Sequence, residues 1–173
     1  MTPYRNRRRP AATTDKQIHA RGNRAARATS RRRAAPALPV HAQRLAAALQ
    51  ALSHGLPNPW DESTDYFHGF VAAMPASTKL GVESFRAALK IGARYDIALA
   101  SANEVLSGLS KAEDDGEEAI AGFRQLATVM RATLHELSLA FARGNGVTRV
   151  RVWLFGRAED GTLVGLRSIS TET

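Results

Sequence analysis

Large apolar residues are nearly absent before Leu38 and fall into ordered patterns after it. From Val40, Leu45, Leu49 and Leu52 share one helical face with alanines between them, predicting a helix that stops at Gly55. Pro57 and Pro59 bar its continuation. Tyr66, Phe67, Phe70 and Val71 predict a strand to about Ala73, closed by Pro75. Thr78 is the expected cap of a second helix that buries Val82, Phe85 and Leu89 and stops at Gly92. Tyr95 to Leu99 reads equally as strand or loop, and Ser101 to Glu104 forms a capping box for a short helix to about Leu109. Ile120, Phe123, Ala127, Met130, Leu134, Leu137 and Phe141 recur at steps of three and four, predicting one long helix from about Glu117 to Ala142. Gly144-Asn145-Gly146 would end it.

The pattern then changes period. Two runs rich in β-branched and aromatic residues flank Asp160-Gly161, the pair that suits a two-residue type I′ turn. They predict a hairpin with strands near 148–158 and 163–170, in which Gly156 faces Gly165, Phe155 faces Leu166 and Val152 faces Ile169. In that register Val150, Val152, Leu154, Leu163 and Ile169 share one face, and Trp153, Phe155, Val164 and Leu166 share the other. A hairpin apolar on both faces belongs inside a sheet covered on both sides.

Charge divides the chain. Residues 1–35 hold eleven Lys/Arg and one acid, whereas the rest carries a slight negative excess, so the formal +8 belongs to a tail. That tail, residues 1–39, includes Arg7-Arg8-Arg9 and Arg31-Arg32-Arg33. It has too little apolar surface to offset its ordering entropy and is expected to be disordered. Non-specific attraction to nucleic acid, a solvated tail without a role, a transit-like peptide, and a true start at Val40 are all consistent with it. It lacks the apolar core of a secretory signal, and no apolar run nears the ~20 residues of a membrane span, so a cytoplasmic, non-membrane protein is expected.

Catalysis has little support. The chain has no cysteine, and its five histidines are not paired at metal-ligand spacing. His135-Glu136 lies off the apolar stripe and reads as a surface pair. Lys111 to Glu118 lacks the alternating ligands of a calcium loop and reads as the acidic first turn of a helix. A non-enzyme without a cofactor of its own is expected.

Two stretches carry a resemblance: Asp61-Glu62-Ser63-Thr64-Asp65-Tyr66 after the first helix, and the closing hairpin with Gly156, Asp160-Gly161, Gly165-Leu166, Ser168 and Glu172-Thr173. Together with Phe123 and Leu126, they resemble the nuclease A inhibitor-like family in order and placement over about residues 40–173. Two departures are plain: Phe67 follows Tyr66 where the family has proline, and the acidic motif holds one inserted residue. The resemblance implies an α/β (α+β) domain, an α-β-α sandwich with a mainly antiparallel sheet. It implies inhibition of a metal-dependent sugar-non-specific endonuclease by a protein that is monomeric when free. Thr173 would meet the partner's catalytic Mg²⁺, and Glu62 would take the place of the scissile phosphate. Trp60, Asp61, Asp65 and Glu172 would support them at the partner surface. The alternative is a nucleic-acid-associated protein that uses the basic tail and offers its folded domain as a protein-binding module.

Overall fold

A computed structural model describes residues 37–59, 66–109, 117–146 and 148–171. The elements run α1 (Val40–Leu52), β1 (His68–Ala72), α2 (Val82–Leu89), β2 (Tyr95–Ser101), α3 (Ala102–Leu109), α4 (Glu117–Thr133), β3 (His135–Gly144), β4 (Arg149–Arg157) and β5 (Leu163–Thr171). The strands form one sheet in the order β1-β5-β4-β3-β2, with every neighbouring pair antiparallel. The chain thus lays down the two edges first, joined by α2. It then fills the centre with a meander from β3 to β5, so the hairpin apolar on both faces is internal, as expected.

Each face has its own core. On one, Ala42 and Leu49 of α1, Leu106 of α3, and Phe123, Leu126 and Met130 of α4 pack on Leu139, Val150, Val152, Leu154, Val164 and Leu166. On the other, α2 is the only described helix over the sheet, and Phe85 belongs to one cluster with Phe70, Ile97, Ala140, Trp153, Phe155 and Leu163. Phe85 stacks on Phe155 at 4.8 Å between ring centroids and meets Trp153 edge-on at 5.6 Å. The architecture is therefore the expected α-β-α sandwich.

Three expectations are corrected. The long helix stops at Thr133, and residues 135–144 form β3, a central strand. Leu134, Leu137 and Phe141 continue the helical spacing, but Leu137, Leu139 and Phe141 also alternate, and pairing with strands on both sides decides for β structure. The switch is made by a β-bulge between His135 and Ser138, where Glu136 has φ 48°. His135 and Glu136 are consequently strand residues; both are exposed, as expected of a surface pair, and Glu136 Oε2 accepts from Arg157 Nη1 at 3.3 Å.

The hairpin register is also off by one residue. Phe155 pairs with Gly165, Leu154 with Leu166 and Gly156 with Val164. The turn is a three-residue loop: Gly161 N–H donates to Ala158 O, and Ala158 N–H donates to Thr162 O. Gly161 sits at φ 88°, so this is a type I turn closed by a glycine bulge. One added loop residue moves every β5 side chain to the opposite face. Val164 and Leu166 therefore lie with Leu154, and Leu163 with Phe155.

The second helix starts at Gly81, not Thr78: Ser84 Oγ accepts from Gly81 N–H at 2.9 Å. It ends at Lys90 in the left-handed conformation (φ 53°), two residues before the glycine expected to stop it. The ambiguous stretch from Tyr95 is the edge strand β2, and Ser101 leads straight into α3.

Candidate functional site

Trp60, Asp61, Glu62, Asp65, Glu172 and Thr173 lie outside the described residues, as do Arg7, Arg8, Arg9, Arg31, Arg32 and Arg33. What the structure does place is the frame from which the acidic segment and the closing residues extend. Leading into the segment, Asn58 is buried, and its Nδ2 donates to Ser168 Oγ at 3.1 Å and to Ile169 O at 3.2 Å. Leading out, Tyr66 O accepts from Ser168 Oγ at 3.5 Å, and Phe67 is buried beneath. Both ends of the acidic segment are thus held on one residue of β5, Ser168, three residues before Thr171.

The neighbouring elements stiffen this corner. Gly69 of β1 donates its N–H to Gln50 Oε1 of α1 at 2.8 Å. A Cβ on Gly69 would come within 2.5 Å of Ala46 O, so glycine lets the helix lie directly on the strand. Ser168 and Ser170, buried on the α1 face, replace the apolar residues found farther along β5. Polar groups at these positions need partners, and Asn58 is one for Ser168.

On the opposite face of the same corner, α2 does not reach. Tyr66, His68, Arg151, Trp153, Arg167 and Ile169 line a recess of about 390 Å³. The strand register sets His68 beside Arg167, Arg167 beside Trp153, and Ile169 beside Arg151. Arg151 also lies over the Tyr95 ring, 4.8 Å from its centroid, and Arg94 lies 5.2 Å from the same ring. The Tyr95 hydroxyl is held below its ordinary pKa by the hydrogen bond from Arg94 and then by the charge of Arg151. Sequence reading treated the hairpin as apolar on both faces and missed this half. The signal was the alternation Arg149-Val150-Arg151-Val152, which places cations on one face and core residues on the other.

At the far end of the hairpin Arg157 is buried, and no sequence feature marked it. Its guanidinium donates to Thr78 O at 2.9 Å, Pro75 O at 3.0 Å and Ala76 O at 3.0 Å, besides Glu136. This satisfies carbonyls of the β1–α2 connection and ties it to the β3 bulge, a structural task. Among the described residues, no group of three or more His, Cys, Asp or Glu is placed to hold a metal ion. No described helix is long and apolar enough to cross a membrane.

No protein-family model matches the chain, and no curated protein matches it. The resemblance to the nuclease A inhibitor-like family therefore rests on the sequence motifs alone.

Proposed function

We propose that this protein inhibits a metal-dependent, sugar-non-specific endonuclease, with Glu62 and Thr173 presented together to the enzyme's active site. The observation that carries this reading is the shared anchor: Asn58 and Tyr66, which bracket the acidic segment, both bond to Ser168 of β5, and Asn58 bonds to Ile169 O as well. Glu62 lies four residues from Asn58 and four from Tyr66, and an extended chain spans at most about 14 Å in four residues. Thr173 lies four residues beyond Ile169, within a similar reach. Two groups far apart in sequence are thereby tethered to one corner of a rigid sheet. Holding a loop on a preformed frame lowers the ordering cost of binding.

The chemistry suits a nuclease site. Such a site is built for phosphate and Mg²⁺, and a carboxylate offers the hard oxygen that both a cation and phosphate-binding donors accept. The chain acts by occupation without turnover. Asp61 and Asp65 add charge that draws the segment toward a cationic cleft, Glu172 does the same beside Thr173, and Trp60 adds apolar contact.

The test is the rate of DNA and RNA cleavage by several Mg²⁺-dependent, sugar-non-specific nucleases, titrated with the full chain, with Glu62→Gln and with Thr173→Ala. Stoichiometric inhibition by the natural chain is expected, weakened about tenfold or more by each change. Failure of the natural chain to inhibit any of them overturns the reading. Inhibition that neither substitution affects overturns the assignment of these two residues.

A further inference from the structure

The recess on the α2 face has a character opposite to that of the acidic segment. Arg151 and Arg167 line it with His68, and Arg149 projects from the same face of β4 two residues before Arg151. All four are exposed. Among the described residues, none of these arginines forms an ion pair. Solvated arginines scattered over a surface mean little, but these are gathered around a concavity. Of the three large apolar or aromatic residues left exposed among the described residues, two, Tyr66 and Ile169, belong to this recess. Tyr66 is 62% exposed and so accessible to a partner.

A cationic groove with an open aromatic ring on a rigid sheet is the arrangement that holds single strands: arginines track the phosphates while bases stack on the ring. Arg149 and Arg151 stand about 7 Å apart along β4, following the strand rise of two residues. His68 of β1 and Tyr66, two residues before it, flank the row from the far side of β5. The volume of about 390 Å³ falls in the range of small-ligand sites, large enough to seat one nucleotide unit. We propose that this open half of the sheet binds single-stranded nucleic acid, with phosphates on Arg149, Arg151 and Arg167 and one base stacked on Tyr66. Its residues are other than those of the basic N-terminal stretch, and the proposal stands independently of the inhibitor reading.

The experiment uses the full chain in which Arg7, Arg8, Arg9, Arg31, Arg32 and Arg33 are changed to Gln, so that the N-terminal arginines do not mask the sheet. Binding of a fluorescent oligothymidylate 20-mer is followed by anisotropy over a range of salt, and a photoreactive strand is cross-linked and mapped by mass spectrometry. The expected result is retained binding, cross-linking at Tyr66, and at least a tenfold loss in the Arg151→Ala/Arg167→Ala double variant. Losing two phosphate contacts should also flatten the log–log salt slope by about 1.4. The pair Arg44→Ala/Lys79→Ala removes the same charge elsewhere and should have little effect. Thermal melts of both double variants, expected to match the parent, separate lost binding from lost folding. The proposal is overturned by absence of binding, by cross-links that avoid the recess, or by an equal loss in the control pair. Thymidine monophosphate binding as tightly as the strand also overturns it, as does displacement of the strand by polyglutamate at equal charge, which would mark an acidic protein partner instead.

Discussion

The two ends of the β4–β5 hairpin differ sharply. At the turn end, Phe155, Gly156, Arg157, Leu163, Val164 and Gly165 are all buried, with helices above and below. At the open end, Arg149, Arg151, Arg167 and Ile169 are exposed on the α2 face while Val150, Val152, Ser168 and Ser170 remain buried on the other. The cause is the length of the covering helix. α2 has eight residues, about 12 Å of rise, and a nine-residue strand spans about 30 Å. One end of the sheet is therefore core on both sides, and the other is core on one side and surface on the other. Stability is concentrated where the sheet is covered, and the groups able to meet a partner gather where it is not.

The largest break of this contrast comes from Phe155→Ala, which removes a fully buried ring stacked on Phe85. A loss of about 3–5 kcal/mol is expected in chemical denaturation. The matching change at the open end, Ile169→Ala, should stay within about 1 kcal/mol because that side chain is 37% exposed. Equal losses would mean that the open end is covered after all.

Next in size is Arg157→Ala. The change strands the carbonyls of Pro75, Ala76 and Thr78 and frees the bulge at Glu136. About 3 kcal/mol should be lost, with faster amide exchange in the β1–α2 connection. Slow exchange there in the variant would show that the connection holds without the arginine.

A smaller, pH-dependent effect belongs to the turn. Asp160 is held below the ordinary carboxylate range, first by the Thr162 backbone N–H, which its Oδ1 accepts at 2.9 Å, with a lesser part from His41 at 3.6 Å. A carboxylate lowered by folding adds stability above its unfolded value, and that stability is lost as pH falls below about 4. Asp160→Asn should flatten this acid limb of the stability curve and leave its dependence near neutrality unchanged.

The smallest effect on stability should come from Arg151→Ala, within about 0.5 kcal/mol at an exposed site. It should nevertheless raise the Tyr95 hydroxyl toward its ordinary value, visible as a later phenolate absorbance transition. An unchanged transition would remove Arg151 from the Tyr95 ring.

Periodicity alone carried the short helices, the edge strand β1 and the two-sided hairpin, because each buries apolar residues at a spacing that only one backbone form can align. It failed at Leu134–Phe141, where Leu137 and Phe141 fit alternation and helical spacing alike, and a strand's neighbours decide what local propensity leaves open. It also failed at Asp160-Gly161, since the same dipeptide serves a two-residue turn and a three-residue turn with a bulge. The proposed inhibitor residues were legible only as a motif. That Asn58 and Tyr66 meet at Ser168, across more than a hundred residues, is a contact no local pattern encodes.

The sequence by itself determined the internal hairpin covered on both faces and the division into basic and near-neutral regions, which follow from composition and from the spacing of apolar side chains; the α-β-α class came as what the motif resemblance implies. Tertiary structure decided the hairpin register, the conversion of a helix-like stripe into a central strand, and the gathering of Arg151 and Arg167 in one recess with Tyr66. Each of these depends on strand pairing and on how far a short helix reaches over a sheet, distances that exist only once the chain has folded.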